Sequence, residues 1–301
     1  MTLYDDPGAP NDMAIDNEFV YWVNYQDGKL QRISKAGGTP LLLARFPQFS
    51  AHFLDVDGSH VYVDDGDDRI VRIPKEGGAP EVLTEPQFNP QSIRVDASGI
   101  YWLTGTSLVG SEGSVVTTAL AGGQTRALTQ AKYVGPGKLT LDADNVYFSI
   151  YDQFGEGRGS VYRVAKTGGA PEVAIATGLT SPYALVVVGP DLFVTTGAST
   201  GQQGGILRFP KTGVGLPPSA SLVDSQLGLI ALASDGQSLF WLVTVGSLYG
   251  GSVMSVPIAG GSPRVLSNPE QLDVALAVDD TYVYWINSST PNGSVRRASK
   301  N

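Results

Sequence analysis

AIDNEFVYWVNYQDGKLQRISKAGGTPLLL, residues 14–43, holds one whole unit of a pattern that recurs along the chain. A short apolar run leads to Asp16, and Tyr21 stands five residues later with Trp22 directly after it. A variable loop ends at Gly28, the alternating segment Lys29-Leu30-Gln31-Arg32-Ile33 follows, and Leu41-Leu42-Leu43 closes the unit beyond Gly37-Gly38. The Asp recurs at Asp57, Asp96, Asp142, Asp235 and Asp279, with Val188 in register in the fifth copy. The aromatic recurs as Tyr62, Tyr101, Tyr147, Phe193, Phe240 and Tyr284, and Trp102, Trp241 and Trp285 sit after it as Trp22 does. Seven aromatics in one register mean seven copies of one structural unit.

Each unit reads as four strands. The apolar runs Ala14-Ile15, Leu54-Val56, Ile93-Val95, Leu139-Leu141, Ala184-Val188, Leu232-Ala233 and Leu276-Val278 are short and bounded by Pro, Gly or Asp, as buried strands are. The aromatic pairs make a second strand and the alternating segments a third. Paired glycines, as at Gly77-Gly78 and Gly122-Gly123, then allow the positive φ of a tight hairpin into a fourth. Four antiparallel strands repeated every forty-odd residues describe a β-propeller. The last unit stops at Asn301 after its third strand, while Thr2-Leu3-Tyr4 precedes the first inner strand. The expected fold is therefore an all-β, seven-bladed β-propeller of four-stranded antiparallel blades, closed by the N-terminal strand joining the last blade. It occupies residues 1–301 as a single domain.

The residues also carry a family likeness. Gly99-Ile100-Tyr101-Trp102-Leu103-Thr104 and Tyr282-Val283-Tyr284-Trp285-Ile286-Asn287 resemble the Tyr-Trp-Thr-Asp (YWTD) repeat of low-density-lipoprotein-receptor-type propellers. The Gly-x-Val-x-Arg-Val-x-Lys-x-Gly-Gly cadence resembles bacterial secreted propellers. Val63 and Val194 depart from the receptor pattern by replacing Trp, and seven units stand where those receptors have six. The resemblance implies a binding scaffold.

Composition limits the partners. With 29 acidic and 20 basic residues, formal charge −9, and no basic run, the chain lacks the clustered cations that a phosphate backbone requires, so no nucleic-acid partner is expected. No apolar stretch is long enough for a transmembrane segment. The absence of cysteine removes disulfides, thiol nucleophiles and thiolate metal sites. Met1 runs straight into strand-like sequence; we expect an extracytoplasmic (periplasmic or secreted) monomer whose signal peptide is absent from this chain.

A residue repeated in nearly every blade serves the scaffold, so the Asp is read as a turn residue and the Tyr-Trp pairs as core. Lys35, Lys75, Lys166, Lys211 and Lys300 read as solvated edge charges. Function is sought where the repeat breaks. The loops between strands two and three lengthen in blades three to six, over 103–112, 149–158, 195–203 and 242–250, and carry Tyr151, Phe154 and Tyr249 with Asp152, Glu156 and Arg158. On the same face, Pro47-Gln48-Phe49 and Pro86-Gln87-Phe88 occupy equivalent sites, with Tyr133 in the next copy. At the mouth of the inner strands stand Asn11, His52, Gln91 and Tyr183. With Tyr25 these make the candidate ligand-binding set: polar groups for hydrogen bonds and aromatics for sugar or peptide faces. Phe49 and Phe88 also read as plugs between blades.

Only His52 and His60 exist, on opposite faces of blade two, so a histidine zinc cluster is excluded and no catalytic residue is assigned. Asp64-Asp65-Gly66-Asp67-Asp68 is oxygen-rich, but calcium needs about six converging ligands and an Asp/Gly hairpin explains the patch; no cofactor is expected, with calcium the one alternative. The expected function is non-catalytic binding of a carbohydrate, peptide or protein. The alternative is a lyase or hydrolase with its site around His52 and Tyr183. A hydrogen bond from His52 to a buried carboxylate would favour chemistry.

Overall fold

The computed structural model describes residues 1–105, 112–130, 135–151, 158–197, 203–215, 217–244, 251–267, 273–288 and 293–300. Its strands form seven four-stranded antiparallel sheets, the blades of a seven-bladed β-propeller. Blade 1 runs Pro10–Ile15, Phe19–Asn24, Lys29–Ser34 and Leu41–Arg45. Blade 2 runs Leu54–Val56, His60–Asp64, Ile70–Pro74 and Glu81–Val82. In blade 7 the strands Asp273–Val278, Tyr282–Asn287 and Ser294–Ser299 are completed by Thr2–Asp5, which pairs antiparallel with the last of them. The two ends of the chain thus share one sheet, as the truncated seventh repeat requires.

The chain divides into two compact units. One, Met1–Thr104, Val116–Arg126 and Gln271–Asn301, carries blades 7, 1, 2 and 3. The other, Gly105–Val115 and Ala127–Glu270, carries blades 4, 5 and 6. In both, the apolar core lies between the faces of successive blades. Val20, Trp22 and Ile33 of blade 1 pack on Tyr284, Ile286 and Val295 of blade 7, and Tyr147 and Val161 of blade 4 pack on Leu192 and Phe209 of blade 5. All four tryptophans are buried.

Three repeated residue types explain the local geometry. The Asp binds its own turn: Asp16 Oδ1 accepts N–H of Glu18 and Phe19 at 2.8 Å each, and Asp142, Asp235 and Asp279 do the same to the residues two and three places on. The other oxygen accepts the hydroxyl of the repeated tyrosine, as in Tyr21 to Asp16 at 2.7 Å and Tyr284 to Asp279 at 2.9 Å. The glycine pair turns strand three into strand four; at Gly122, φ is 77° and a Cβ would come within 2.8 Å of the Leu83 carbonyl, so no larger residue fits.

The lysines correct the sequence reading. Lys75 is only 9% exposed, and its ammonium reaches out of blade 2 to Asp16 of blade 1 at 2.7 Å. Lys35 of blade 1 reaches Asp279 of blade 7 at 2.6 Å, and Lys211 of blade 5 reaches Asp142 of blade 4 at 2.8 Å. Each is a tie to the preceding blade rather than a solvated charge. Burial pushes the Asp16 carboxyl up, but the Lys75 ammonium, the Tyr21 hydroxyl and two backbone N–H groups outweigh it and hold it at about 2. Asp279 is held at about 2 in the same way, against burial, with Lys35 the largest favourable partner.

The joint between the N-terminal segment and blade 1 holds a residue that the repeat does not announce. Asp6 is 2% exposed, and its carboxylate accepts Trp22 Nε1 at 2.8 Å, Gln31 Nε2 at 2.9 Å, Asn24 Nδ2 at 3.0 Å and Gly8 N–H at 2.9 Å. A buried carboxylate with that many donors is satisfied, and it anchors the segment that completes blade 7.

Candidate functional site

The loop that enters blade 2 is clamped to the loop between strands two and three of blade 1. Phe46 donates its N–H to the Gly28 carbonyl at 2.8 Å, and Phe49 donates to the Tyr25 carbonyl at 2.7 Å. Phe46 fills the core gap, which leaves Phe49 outside it: Phe49 is 54% exposed. Its φ is +62°, a left-handed conformation costly for a bulky side chain. The clamp sets its ring 5.0 Å from that of Tyr25, edge to face, and Tyr25 is 38% exposed.

His52 extends this pair. Its ring centroid lies 5.4 Å from Tyr25, and its carbonyl accepts the Asn11 side-chain amide at 2.9 Å. Behind it stands Asp64, 4% exposed. Asp64 accepts the backbone N–H of His52 at 2.9 Å and of Phe53 at 2.7 Å, and its Oδ2 lies 3.3 Å from His52 Nδ1. The hydrogen bond to Asp64 raises the His52 imidazole above its ordinary value, against the opposing effect of burial. Asn11, Tyr25, Phe49 and His52 therefore form one patch of two exposed rings, an imidazole and an amide.

Other blades show which part of this is scaffold. Ser149 and Thr195 occupy the position of Asp64, two residues beyond the repeated aromatic. Their hydroxyls accept inner-strand N–H of Lys138 and Ala184, each at 3.0 Å. Capping the inner strand is thus what the position does where it is polar, and a neutral hydroxyl suffices for it; Val23, Leu103, Leu242 and Ile286 stand there in the other blades. Blade 2 uses a carboxylate and adds a histidine to it. Sequence reading placed Asp64 in an acidic patch; the departure from Ser149 and Thr195 in register was the signal that distinguishes it.

The rest of that patch points elsewhere. Asp65 accepts Arg69 Nε at 2.8 Å and the N–H of Asp67 and Arg69, while Asp67 pairs with Arg69 at 2.9 Å. These oxygens strap a turn to one guanidinium instead of converging on a point.

Of the remaining candidates, Tyr151 and Tyr183 meet in blades 4 and 5, ring centroids 5.7 Å apart, with the Lys138 ammonium 5.8 Å from the Tyr183 ring. Lys138 was not anticipated. Phe88, 53% exposed, and half-buried Gln91 lie on the loop and first strand of blade 3. The exposure of Phe49 and Phe88 overturns their reading as plugs. Tyr133, Tyr249, Asp152, Phe154 and Glu156 lie outside the described residues.

The chain matches no protein-family model and no curated protein sequence. Among solved structures it is similar to virginiamycin B lyase from Staphylococcus aureus, at 14% identity over 99% of this chain and 97% of that one, with a TM-score of 0.71. It is similar to a puromycin-hydrolyzing peptidase of Mycobacterium tuberculosis at 15% identity, over 97% of this chain and 51% of that one, TM-score 0.70. A chain of a nidogen/laminin complex is 21% identical over 67% of this chain and 76% of that one, TM-score 0.54. At these identities the likeness shows the fold, a propeller scaffold shared by two enzymes and a protein of a binding complex.

Proposed function

We propose that this propeller is a recognition module whose ligand, a carbohydrate or a peptide, lies on the Tyr25–Phe49–His52 patch. The observation that carries this reading is Phe49 itself. A large apolar ring more than half exposed, on a left-handed backbone, gains nothing for the fold from either feature. Both make sense if the ring stacks on something that arrives from solvent. Beside it, the His52 imidazole and the Asn11 amide oxygen supply hydrogen bonds with directions set by Asp64 and the His52 carbonyl. The resemblance to secreted propellers supports an extracytoplasmic setting.

The His52–Asp64 contact supports a second reading. An imidazole oriented by a buried carboxylate is a competent general base. In this reading the chain is a lyase or hydrolase, and His52 takes a proton from substrate held on Tyr25 and Phe49.

A glycan and peptide array screened with the wild type and with Phe49→Ala tests the first reading. Truncation of one stacked aromatic weakens a hit by about tenfold or more, while the melting temperature, set by the core, changes little. A hit that Phe49→Ala leaves untouched removes the site. Turnover of an array ligand that is lost in His52→Ala but survives as binding would establish the second reading instead.

A further inference from the structure

Phe49 has a counterpart one blade on. Pro47-Gln48-Phe49 and Pro86-Gln87-Phe88 fall in the same register, each phenylalanine eight residues before the repeated Asp57 or Asp96. The other blades carry Gly8, Val134, Thr180, Leu227 and Gln271 at that position, so the ring belongs to two adjacent blades and not to the repeat. Both loops are clamped to the preceding blade's loop between strands two and three. Phe49 N–H binds the Tyr25 carbonyl at 2.7 Å, and Gln87 N–H binds the Asp68 carbonyl at 2.5 Å. Leu43 and Leu83, a few residues earlier, fill the core, and Phe88 stays 53% exposed beside 54% for Phe49. With Tyr25 they are the exposed Phe, Tyr and Trp side chains among the described residues, and all three stand on the loops at one end of blades 1 to 3.

Backbone strain collects at the same end. Seven non-glycine residues among those described take a left-handed φ, and Ala9, Phe49, Asp68, Asn89 and Ser92 belong to this end of blades 1 to 3. Asn89, next to Phe88, lies at +47°, and Ser92, next to Gln91, at +50°. Strain of this kind clusters where a surface is shaped for a ligand.

The chemistry of the strip is close to neutral. Segments 46–52 and 85–91 contain no lysine or arginine, and Glu85 is their one carboxylate. Asp64 stands 3.3 Å behind the His52 ring and answers its charge, while Asp65 and Asp67 are paired with Arg69. What faces a ligand is therefore rings and amides: Tyr25, Phe49 and Phe88, with Asn11 and Gln91 on the first strands. Aromatic rings take the C–H faces of a sugar, and amides both donate to and accept from its hydroxyls. Two like sites one blade apart suit a ligand that repeats its own unit.

We propose that the ligand is a neutral oligosaccharide that runs from the Tyr25–Phe49–His52 patch onto Phe88 and Gln91 of the next blade. This rests on the reading of that patch as a binding site, and adds the ligand's class and a second subsite.

The probes are cellohexaose, xylohexaose, chitohexaose and maltohexaose, each with its disaccharide, titrated calorimetrically against the full chain. At least one hexaose should bind, about tenfold or more tighter than its disaccharide. Phe88→Ala should weaken that hexaose by about tenfold and leave the disaccharide unchanged, whereas Phe49→Ala should weaken both. Phe88→Tyr, which keeps the ring, should bind as the wild type does. Both phenylalanines lie outside the core, so an unchanged melting temperature certifies each variant as folded. Binding of none of the hexaoses, equal affinity for hexaose and disaccharide, or a hexaose indifferent to Phe88→Ala would each overturn the proposal. The patch reading fails separately. An arrayed peptide lost in Phe49→Ala, with every hexaose ignored, keeps the patch and removes the oligosaccharide; a hexaose indifferent to both alanine variants removes both.

Discussion

Replacing Lys75 by Met keeps most of the aliphatic stem that packs in the joint between blades 1 and 2 and removes only the ammonium. The consequence is calculable from Asp16. In the folded protein its carboxyl is held at about 2, against 3.8 for a free aspartate, despite burial that pushes the other way. Taken whole, that displacement corresponds to about 2.5 kcal/mol. Lys75 supplies only part of it, since Tyr21 and two backbone N–H groups also bind Asp16, and both side chains still meet water, at 11% and 22% exposure. About 1 kcal/mol is the fair share of the ammonium. The sign follows from the direction of the shift. A carboxyl whose folded value lies below its unfolded one stabilises fully above about pH 4 and loses that contribution as pH falls through 4 towards 2. Lys75→Met should therefore be less stable than the wild type by about 1 kcal/mol at pH 7, and the deficit should shrink as pH falls through 4 towards 2, where Asp16 takes up its proton in the folded wild type. Urea unfolding followed by the fluorescence of the buried tryptophans, repeated from pH 7 to pH 2, measures it. Equal midpoints at pH 7, or a deficit that persists undiminished at pH 2, would refute the tie as an electrostatic link.

Two further outcomes follow from the buried carboxylates. The His52 imidazole should titrate above 6.5 in an NMR pH series and fall back in Asp64→Asn; its contribution to stability is full below 6.5 and lost as pH rises through the folded value, so an unmoved His52 titration in the variant would show that Asp64 only caps the strand. Trp22→Phe should cost about 1–2 kcal/mol more than Trp285→Phe, because the first removes a donor from Asp6 whereas the Nε1 of Trp285 has no hydrogen-bond partner among the described residues; equal costs in urea melts would deny Asp6 its role as anchor.

The blade count, the strand order within a blade and the closure by Thr2–Asp5 were legible in the residues, because each follows from a local period that repeats. So was the Asp, whose work lies within three residues of itself. The lysines were misread for the opposite reason. Lys75 and Asp16 are far apart in the chain, and hydropathy alone assigns a lysine beside a Gly-Gly turn to solvent. The candidate patch was half legible: Asn11, Tyr25, Phe49 and His52 were all in the candidate set, but nothing in the string sets the Phe49 and His52 rings against Tyr25 or turns Asp64 towards His52.

The sequence by itself determined the scaffold: seven registered aromatics and a missing last strand admit one architecture, since strand alternation and turn chemistry act over a few residues. Only the tertiary structure decided which charges meet. Ion pairs and ring contacts depend on how one blade lies against the next, and that packing sets Lys75 on Asp16 and brings Phe49 to the rim of Tyr25.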